Sequence, residues 1–318
     1  MDSRPSIRTG QLNPPCGFNL HLRFVRNSVV GVKFMRKHNV TGVHAVLVIV
    51  LLGFGLERAA AATYTQITVP GSVSTQARAI NNTGQIVGSY IATSQTHGYL
   101  LSSGQYTTID FPAATSTTIS GINDAGDMVG FYSDTVGATH GFLDHDGALT
   151  AINAPEAADT IAYGINLAGQ IVGFYIGQTG EFRGFELSGG KYTPLDVPNA
   201  IETQPYGINA SGDIIGSFND ASGQHGFLLH DGRYQIFNVP GTTNTSAVAI
   251  SDKGHVVGSY VDPTLQQLQG YTSNLVKFIK VTDPNGTMTG PTGINNSDTI
   301  VGTFIDSDDT EAGFMATR

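Results

Sequence analysis

The residues of this chain with the plainest chemical capacity are aspartates that return at a fixed place. Two positions after each of Tyr132, Phe218, Tyr260 and Phe304 stand Asp134, Asp220, Asp262 and Asp306, and Asp308, Asp309 and Glu311 crowd the last of these stretches. Carboxylates gathered on one rim can hold a hard cation such as calcium, which takes about six to eight oxygen ligands. Two carboxylates about 5 to 9 Å apart can instead serve as general acid and base on a glycosidic bond. The chain has no D-x-D-x-D-G loop, and aspartate is a common turn residue. A solvated acidic rim is therefore the first reading and calcium the second.

Threonine forms a second column, five positions before a recurring isoleucine: Thr75, Thr117, Thr160, Thr203, Thr245 and Thr289. Six hydroxyls at one position either line a channel mouth or bond backbone where successive repeats join, the second being the expectation here. Histidine offers less. His97, His140 and His225 share one slot and His145 and His230 another, and no His-x-His or H-E-x-x-H spacing places two on one metal. No G-x-S-x-G is present to suggest a serine nucleophile. The aromatics Tyr90, Tyr132, Tyr175, Phe218, Tyr260 and Phe304 read as packing between repeats. Tyr106, Tyr192 and Tyr234 are expected to be exposed and able to stack on a sugar in a chain without tryptophan.

These columns follow from a repeat of about 43 residues. Its clearest segment runs Ile80-Asn81-Asn82-Thr83-Gly84-Gln85-Ile86-Val87-Gly88 and recurs at Ile122, Ile165, Ile208, Ile250 and Ile294. Each unit has four short apolar runs separated by turn residues and no helical periodicity, which predicts strands near 77–81, 85–90, 98–102 and 106–111 in the first unit. An Asn or Ser followed at the fourth position by Gly predicts a tight turn between the first two strands, with Asp298 replacing the glycine in the last unit.

Three columns count the units. Proline recurs at Pro70, Pro112, Pro155, Pro198, Pro240 and Pro284, and glycine at Gly88, Gly130, Gly173, Gly216, Gly258 and Gly302, and again at Gly98, Gly141, Gly184, Gly226, Gly270 and Gly313. The repeats begin with a lone fourth strand, at 64–69, and stop after a third strand, at 313–317. The complementary fragments predict an all-β, six-bladed β-propeller of four-stranded antiparallel blades, closed by the N-terminal strand pairing with the last blade.

The hairpin Ile-Asn…Gly-Gln-Ile-Val-Gly followed by His97-Gly98-Tyr99, His140-Gly141-Phe142 and His225-Gly226-Phe227 resembles the HAF-repeat family of bacterial extracellular proteins. The resemblance covers residues 64–318, with Gly at the family's Ala and with Arg183, Gln269 and Ala312 at the histidine of other units. It implies export and a repeat fold, and it brings no reaction or catalytic residue.

Residues 1–62 differ in composition and are read apart from the propeller domain, 63–318. Met35-Arg36-Lys37-His38, an apolar stretch of about 14 residues at 43–56 and Ala59-Ala60-Ala61-Ala62 have the order of a secretory signal peptide, with cleavage expected after Ala62. Met35 is read as the start, with a long basic leader as the alternative. The stretch is short for a membrane span, so no span is expected after cleavage, with a retained membrane anchor as the alternative. The one cysteine, Cys16, falls in this segment, leaving no disulfide for the domain. The segment holds 8 of the 16 Lys and Arg but only 2 of the 25 Asp and Glu, which leaves the domain a net charge of about −15. Such a surface repels nucleic acid.

The function these features predict is a secreted or periplasmic binding or scaffold module without catalysis, its partner a glycan or an extracellular protein. A polysaccharide hydrolase or lyase using the rim aspartates, and a structural surface protein, are the alternatives. The blade junctions are short and alike, and no irregular loop marks a catalytic face.

Overall fold

Six times over, an Asn or Ser and a residue of positive φ fold the chain back on itself. In the first turn Gly84 N–H donates to the Asn81 carbonyl at 3.1 Å, and the Asn81 side-chain oxygen accepts from the N–H groups of Thr83 and Gln85. Gly84 takes φ +83° where a side chain would be strained. In the last turn Asp298 adopts φ 58° and keeps the same bond to Asn295 at 3.0 Å, as a short polar residue can.

The computed structural model describes residues 62–317, together with three short strands nearer the start, β1 (Gln11–Leu12), β2 (Leu20–Val25) and β3 (Ser28–Lys33), which pair with one another in a sheet of their own. The start read at Met35 and the apolar stretch 43–56 lie outside the described residues. Among the described residues no helix is long and apolar enough to cross a membrane.

From β4 (Thr63–Ile67) onward, every strand belongs to one of six four-stranded antiparallel sheets. Blade 1 is β5 (Ser74–Ile80), β6 (Ile86–Ala92), β7 (Gln95–Ser102) and β8 (Gln105–Ile109). Blades 2 to 5 repeat this order, their first strands being β9 (Ser116–Ile122), β13 (Ala157–Ile165), β17 (Glu202–Ile208) and β21 (Thr245–Ile250). Blade 6 is β25 (Met288–Ile294), β26 (Ile300–Ile305), β27 (Glu311–Thr317) and β4, with Gly313 opposite Ile67 and Thr317 opposite Thr63. The chain therefore forms a six-bladed propeller whose first strand completes its last blade. The first strands of the blades touch one another in turn, β25 meets β5, and together they surround the axis.

The core lies between blades, which is why the second strands are apolar on both faces. Val87, Val129, Val172, Ile215, Val257 and Val301 are all fully buried, as are the ring-bearing residues Tyr99, Phe142, Phe185, Phe227, Tyr271 and Phe314. Val87 of blade 1 packs with Ile119 and Phe142 of blade 2, and Val301 of blade 6 with Ile67, Ala77 and Tyr99. Each such side chain contributes about 1.5–3 kcal/mol by leaving water.

Every first strand also carries a β-bulge. Ala77 faces Gly88 and Ala79 faces Val87, so Arg78 is the extra residue, and the same slip isolates Ser120, Tyr163, Tyr206, Val248 and Thr292. A bulge bends its strand and re-aims a side chain. It needs a close backbone approach at the glycine opposite, where a Cβ would stand 1.9 Å from Gln76 O at Gly88 and 2.0 Å from Thr118 O at Gly130.

Candidate binding site on the ring axis

The rim aspartates do not gather. Each sits in the hairpin between the second and third strands of its own blade and turns its carboxylate back onto that hairpin. Asp134 accepts from Val136 and Ala138 N–H, Asp220 from Ser222 N–H and hydroxyl, Asp262 from Thr264 and Leu265 N–H, and Asp306 from Asp308 and Thr310 N–H. Asp308 and Asp309 are exposed on the same turn. Among the described residues no group of three or more His, Cys, Asp or Glu is placed to hold a metal ion. The hydrogen bonds of the Ser222 hydroxyl and N–H hold the Asp220 carboxyl at about 2, and the His140 hydrogen bond lowers Asp134 while backbone N–H groups lower Asp262. A carboxyl held so low is ionised at neutral pH and has no proton to donate as a general acid.

The threonines lie in the first strands, a few residues earlier than the strand start read from the pattern. Each buried hydroxyl accepts an N–H from the preceding blade junction: Val69 to Thr75, Phe111 to Thr117, Ala154 to Thr160, Val197 to Thr203, Val239 to Thr245 and Asp283 to Thr289, all at 3.0–3.1 Å. Replacing Thr117 with valine strands the Phe111 N–H and is expected to cost about 1–3 kcal/mol, read as a melting temperature lower by several degrees with ligand binding unchanged.

The histidines also bridge strands. In the His-Gly-aromatic slot, His97, His140 and His225 stack beside Tyr90, Tyr132 and Phe218 at 5.1–5.2 Å, and their Nδ1 atoms meet Asp110, Asn153 and Asn238 near the end of the fourth strand. Arg183 takes that slot in blade 3 and lies 3.7 Å from Asp196. His145 and His230 meet Asp127 and Asp213 at 2.6 Å, and the hydrogen bond of each aspartate raises its histidine above the ordinary value. A raised folded-state value favours the fold below about pH 6.5 and loses that contribution as pH rises through the raised value. Both histidines are more than half exposed, so solvent keeps the effect small. The urea midpoint should be slightly higher near pH 5.5 than near pH 8, by a margin that shrinks in the H145N/H230N double variant and persists in part through His140, which its hydrogen bond to Asn153 also raises.

Tyr106, Tyr192 and Tyr234 are not the exposed stacking platforms expected. Each is half-buried and packs edge-on against its blade's central ring, Tyr99, Phe185 or Phe227, at 5.4–5.6 Å, and burial raises its hydroxyl, to about 12 at Tyr234. The fourth strand lays them over the inter-blade core, where pairing with Leu101, Leu187 and Leu229 directs them.

What the blades do bring together is on the axis. Six isoleucines, Ile80, Ile122, Ile165, Ile208, Ile250 and Ile294, line both an inner chamber of about 80 Å³ and an outer cavity of about 170 Å³. The inner chamber is walled by the bulge residues Ser120, Tyr163, Tyr206, Val248 and Thr292. Tyr163 and Tyr206 meet edge-to-face at 4.9 Å. Near it the bulge residue Arg78 donates to Gln76, which in turn donates to Glu311 of blade 6, while Arg78 Nε is buried without a partner among the described residues.

The outer cavity opens among the first turns of the six blades and is ringed twice. The inner ring is Asn81, Asn123, Asn166, Asn209, Ser251 and Asn295, whose amides reach the next blade: Asn81 Nδ2 donates to Asn123 O, Asn123 to Asn166, Asn166 to Asn209 and Asn295 to Asn81. The outer ring is Asn82, Asp124, Leu167, Ala210, Asp252 and Asn296. Here a backbone N–H donates to the side-chain oxygen of the next blade: Asn82 to Asp124, Ala210 to Asp252, Asp252 to Asn296 and Asn296 to Asn82, at 2.8–2.9 Å. The girdle breaks at Leu167 and Ala210, which have no oxygen to offer. The outer ring is thus polar and acidic on blades 5, 6, 1 and 2 and apolar on blades 3 and 4.

The sequence reading missed this ring, although its signal is visible. At the position after the turn Asn or Ser the six blades read Asn, Asp, Leu, Ala, Asp, Asn. Nothing in one strand tells which position faces the axis.

No family model matches the chain, and no curated protein matches it. Among solved structures it is similar to virginiamycin B lyase from Staphylococcus aureus with quinupristin, at 13% identity over 81% of this chain and 99% of that chain, with a TM-score of 0.49. It is similar also to the Aleuria aurantia lectin in complex with Fucα1-6GlcNAc, at 10% identity over 76% of this chain and 91% of that one, with a TM-score of 0.49. A putative gluconolactonase aligns at 12% identity over 81% and 92% of the two chains, with a TM-score of 0.48. Likenesses at this level carry neither an activity nor a ligand to this chain.

Proposed function

We propose that this chain is an exported, non-catalytic binding module and that its ligand, a glycan, sits in the cavity on the ring axis rather than on the blade-edge aspartates. The observation that carries the reading is the break in six-fold repetition. Structural positions repeat from blade to blade, whereas the one ring open to solvent at the centre of the face departs from symmetry in an ordered way, polar on one side and apolar on the other. Binding sites combine a concave surface with a few placed polar groups. Export rests on the leader-like segment and on the resemblance to HAF-repeat proteins.

Hydrolysis by Asp134, Asp220 and Asp262 is the less supported reading, because each carboxylate is spent on its own turn and held ionised. The test incubates the protein with insoluble polysaccharides and cell-wall material and scores retained protein and released sugar together. Retention without release is the expected result. Release of sugar would sink the non-catalytic reading, and absence of both would sink the glycan and direct attention to a protein partner.

A further inference from the structure

We infer that the gap in the outer girdle is a subsite for a neutral acetamido group, of the kind an N-acetylated amino sugar presents; the inference rests on the axial reading above. At four junctions between blades the mouth is closed by a backbone N–H bonded to an Asn or Asp oxygen of the next blade. The same register carries the Asp124 N–H toward Leu167 and the Leu167 N–H toward Ala210. Among the described residues neither N–H has a hydrogen-bond partner, and the two are consecutive in the ring. The open donors call for what the other junctions supply, a carbonyl-type oxygen.

The surroundings narrow the class. Leu167 is 62% exposed and with Ala210 forms the apolar stretch of the mouth, a surface a methyl group can cover. Asp124 and Asp252 flank that stretch, and among the described residues neither is paired with a cation. Each carboxylate oxygen retains lone-pair capacity for a donor from the ligand, such as an amide N–H or a sugar hydroxyl. They also disfavour a ligand carboxylate, which would otherwise satisfy the open donors, and the domain's net negative charge adds to that. A free amine suits the carboxylates but brings no acceptor to the two N–H groups. The acetamido group alone among these supplies an acceptor, a donor and a methyl. The cavity, about 170 Å³, is smaller than the 300–1,000 Å³ or so of pockets that enclose a drug-sized ligand, so it takes one group and leaves the rest of a chain outside.

The experiment is calorimetric titration of the protein with N-acetylglucosamine, glucose and glucosamine, repeated on Leu167→Asn and Ala210→Asn. Each variant installs the missing oxygen at one junction. N-acetylglucosamine is expected to bind at least about tenfold more tightly than the other two sugars, and each variant to lose about tenfold or more of that affinity with an unchanged or raised melting temperature. If N-acetylglucosamine binds no better than glucose while the variants still release the polysaccharide that retains the parent protein, the acetamido class is overturned and the axial site stands. If the variants bind as the parent does, the axial site itself is overturned. Should one variant fail to fold, the other carries the same comparison.

Discussion

Gly130→Ala is expected to cost about 3 kcal/mol or more, a large share of the roughly 5–15 kcal/mol that holds a domain folded. A Cβ at Gly130 would lie 2.0 Å from the Thr118 carbonyl oxygen and 2.9 Å from two carbons of the Phe142 ring, itself fully buried. Neither neighbour can yield. The carbonyl belongs to β9 beside its bulge at Ser120, and the ring is wedged between blades with Val87 and Ile119. The comparison that isolates the cause is Gly84→Ala, where φ is +83° and a Cβ would meet nothing within 4 Å. There only the backbone conformation is penalised, at about 1–2 kcal/mol. Urea denaturation followed by circular dichroism should separate the two variants clearly. Equal losses would mean that the glycine column serves backbone freedom rather than close approach.

Removing residues 63–69 should be at least as damaging, although it touches no other blade's sequence. These residues supply the fourth strand of blade 6, place Ile67 and Val69 in the core at 3% and 7% exposure, and set Tyr64 against Phe314 at 5.7 Å between ring centres. Without them β27 becomes an open edge with unpaired N–H and C=O groups. Burial of Ile67 and Val69 alone accounts for about 3–6 kcal/mol, and at about 2–4 °C per kcal/mol the melting temperature should fall by about 10 °C or more. Size-exclusion chromatography should show self-association through the exposed edge. Moving the strand to follow Thr317 should restore both properties. A truncated chain that melts within a few degrees of the parent would show that the ring does not depend on this closure.

The repeat made the propeller legible because each feature that counts blades is a local requirement. The turn asparagine accepts two N–H groups of its own turn, so Asn81 and its counterparts can be recognised without knowledge of the rest of the fold. The lone β4 and the missing partner of β27 likewise follow from counting strands. The threonine column was legible as a set, and its role needed only the neighbouring junction. The aspartates were legible as turn residues too, yet the chemistry first considered for them requires convergence, which spacing along the chain does not report.

The number of blades, the order of their strands and the way the ring closes are written along the chain, because these depend on turn chemistry and on apolar runs that act over a few residues. Which positions face the axis is set by the folded ring. A one-residue bulge in each first strand re-aims Arg78, Ser120, Tyr163, Tyr206, Val248 and Thr292, and six first turns from stretches far apart in the chain meet in one mouth. A site assembled from one residue of each blade leaves no cluster in the sequence; it exists only once the ring has closed.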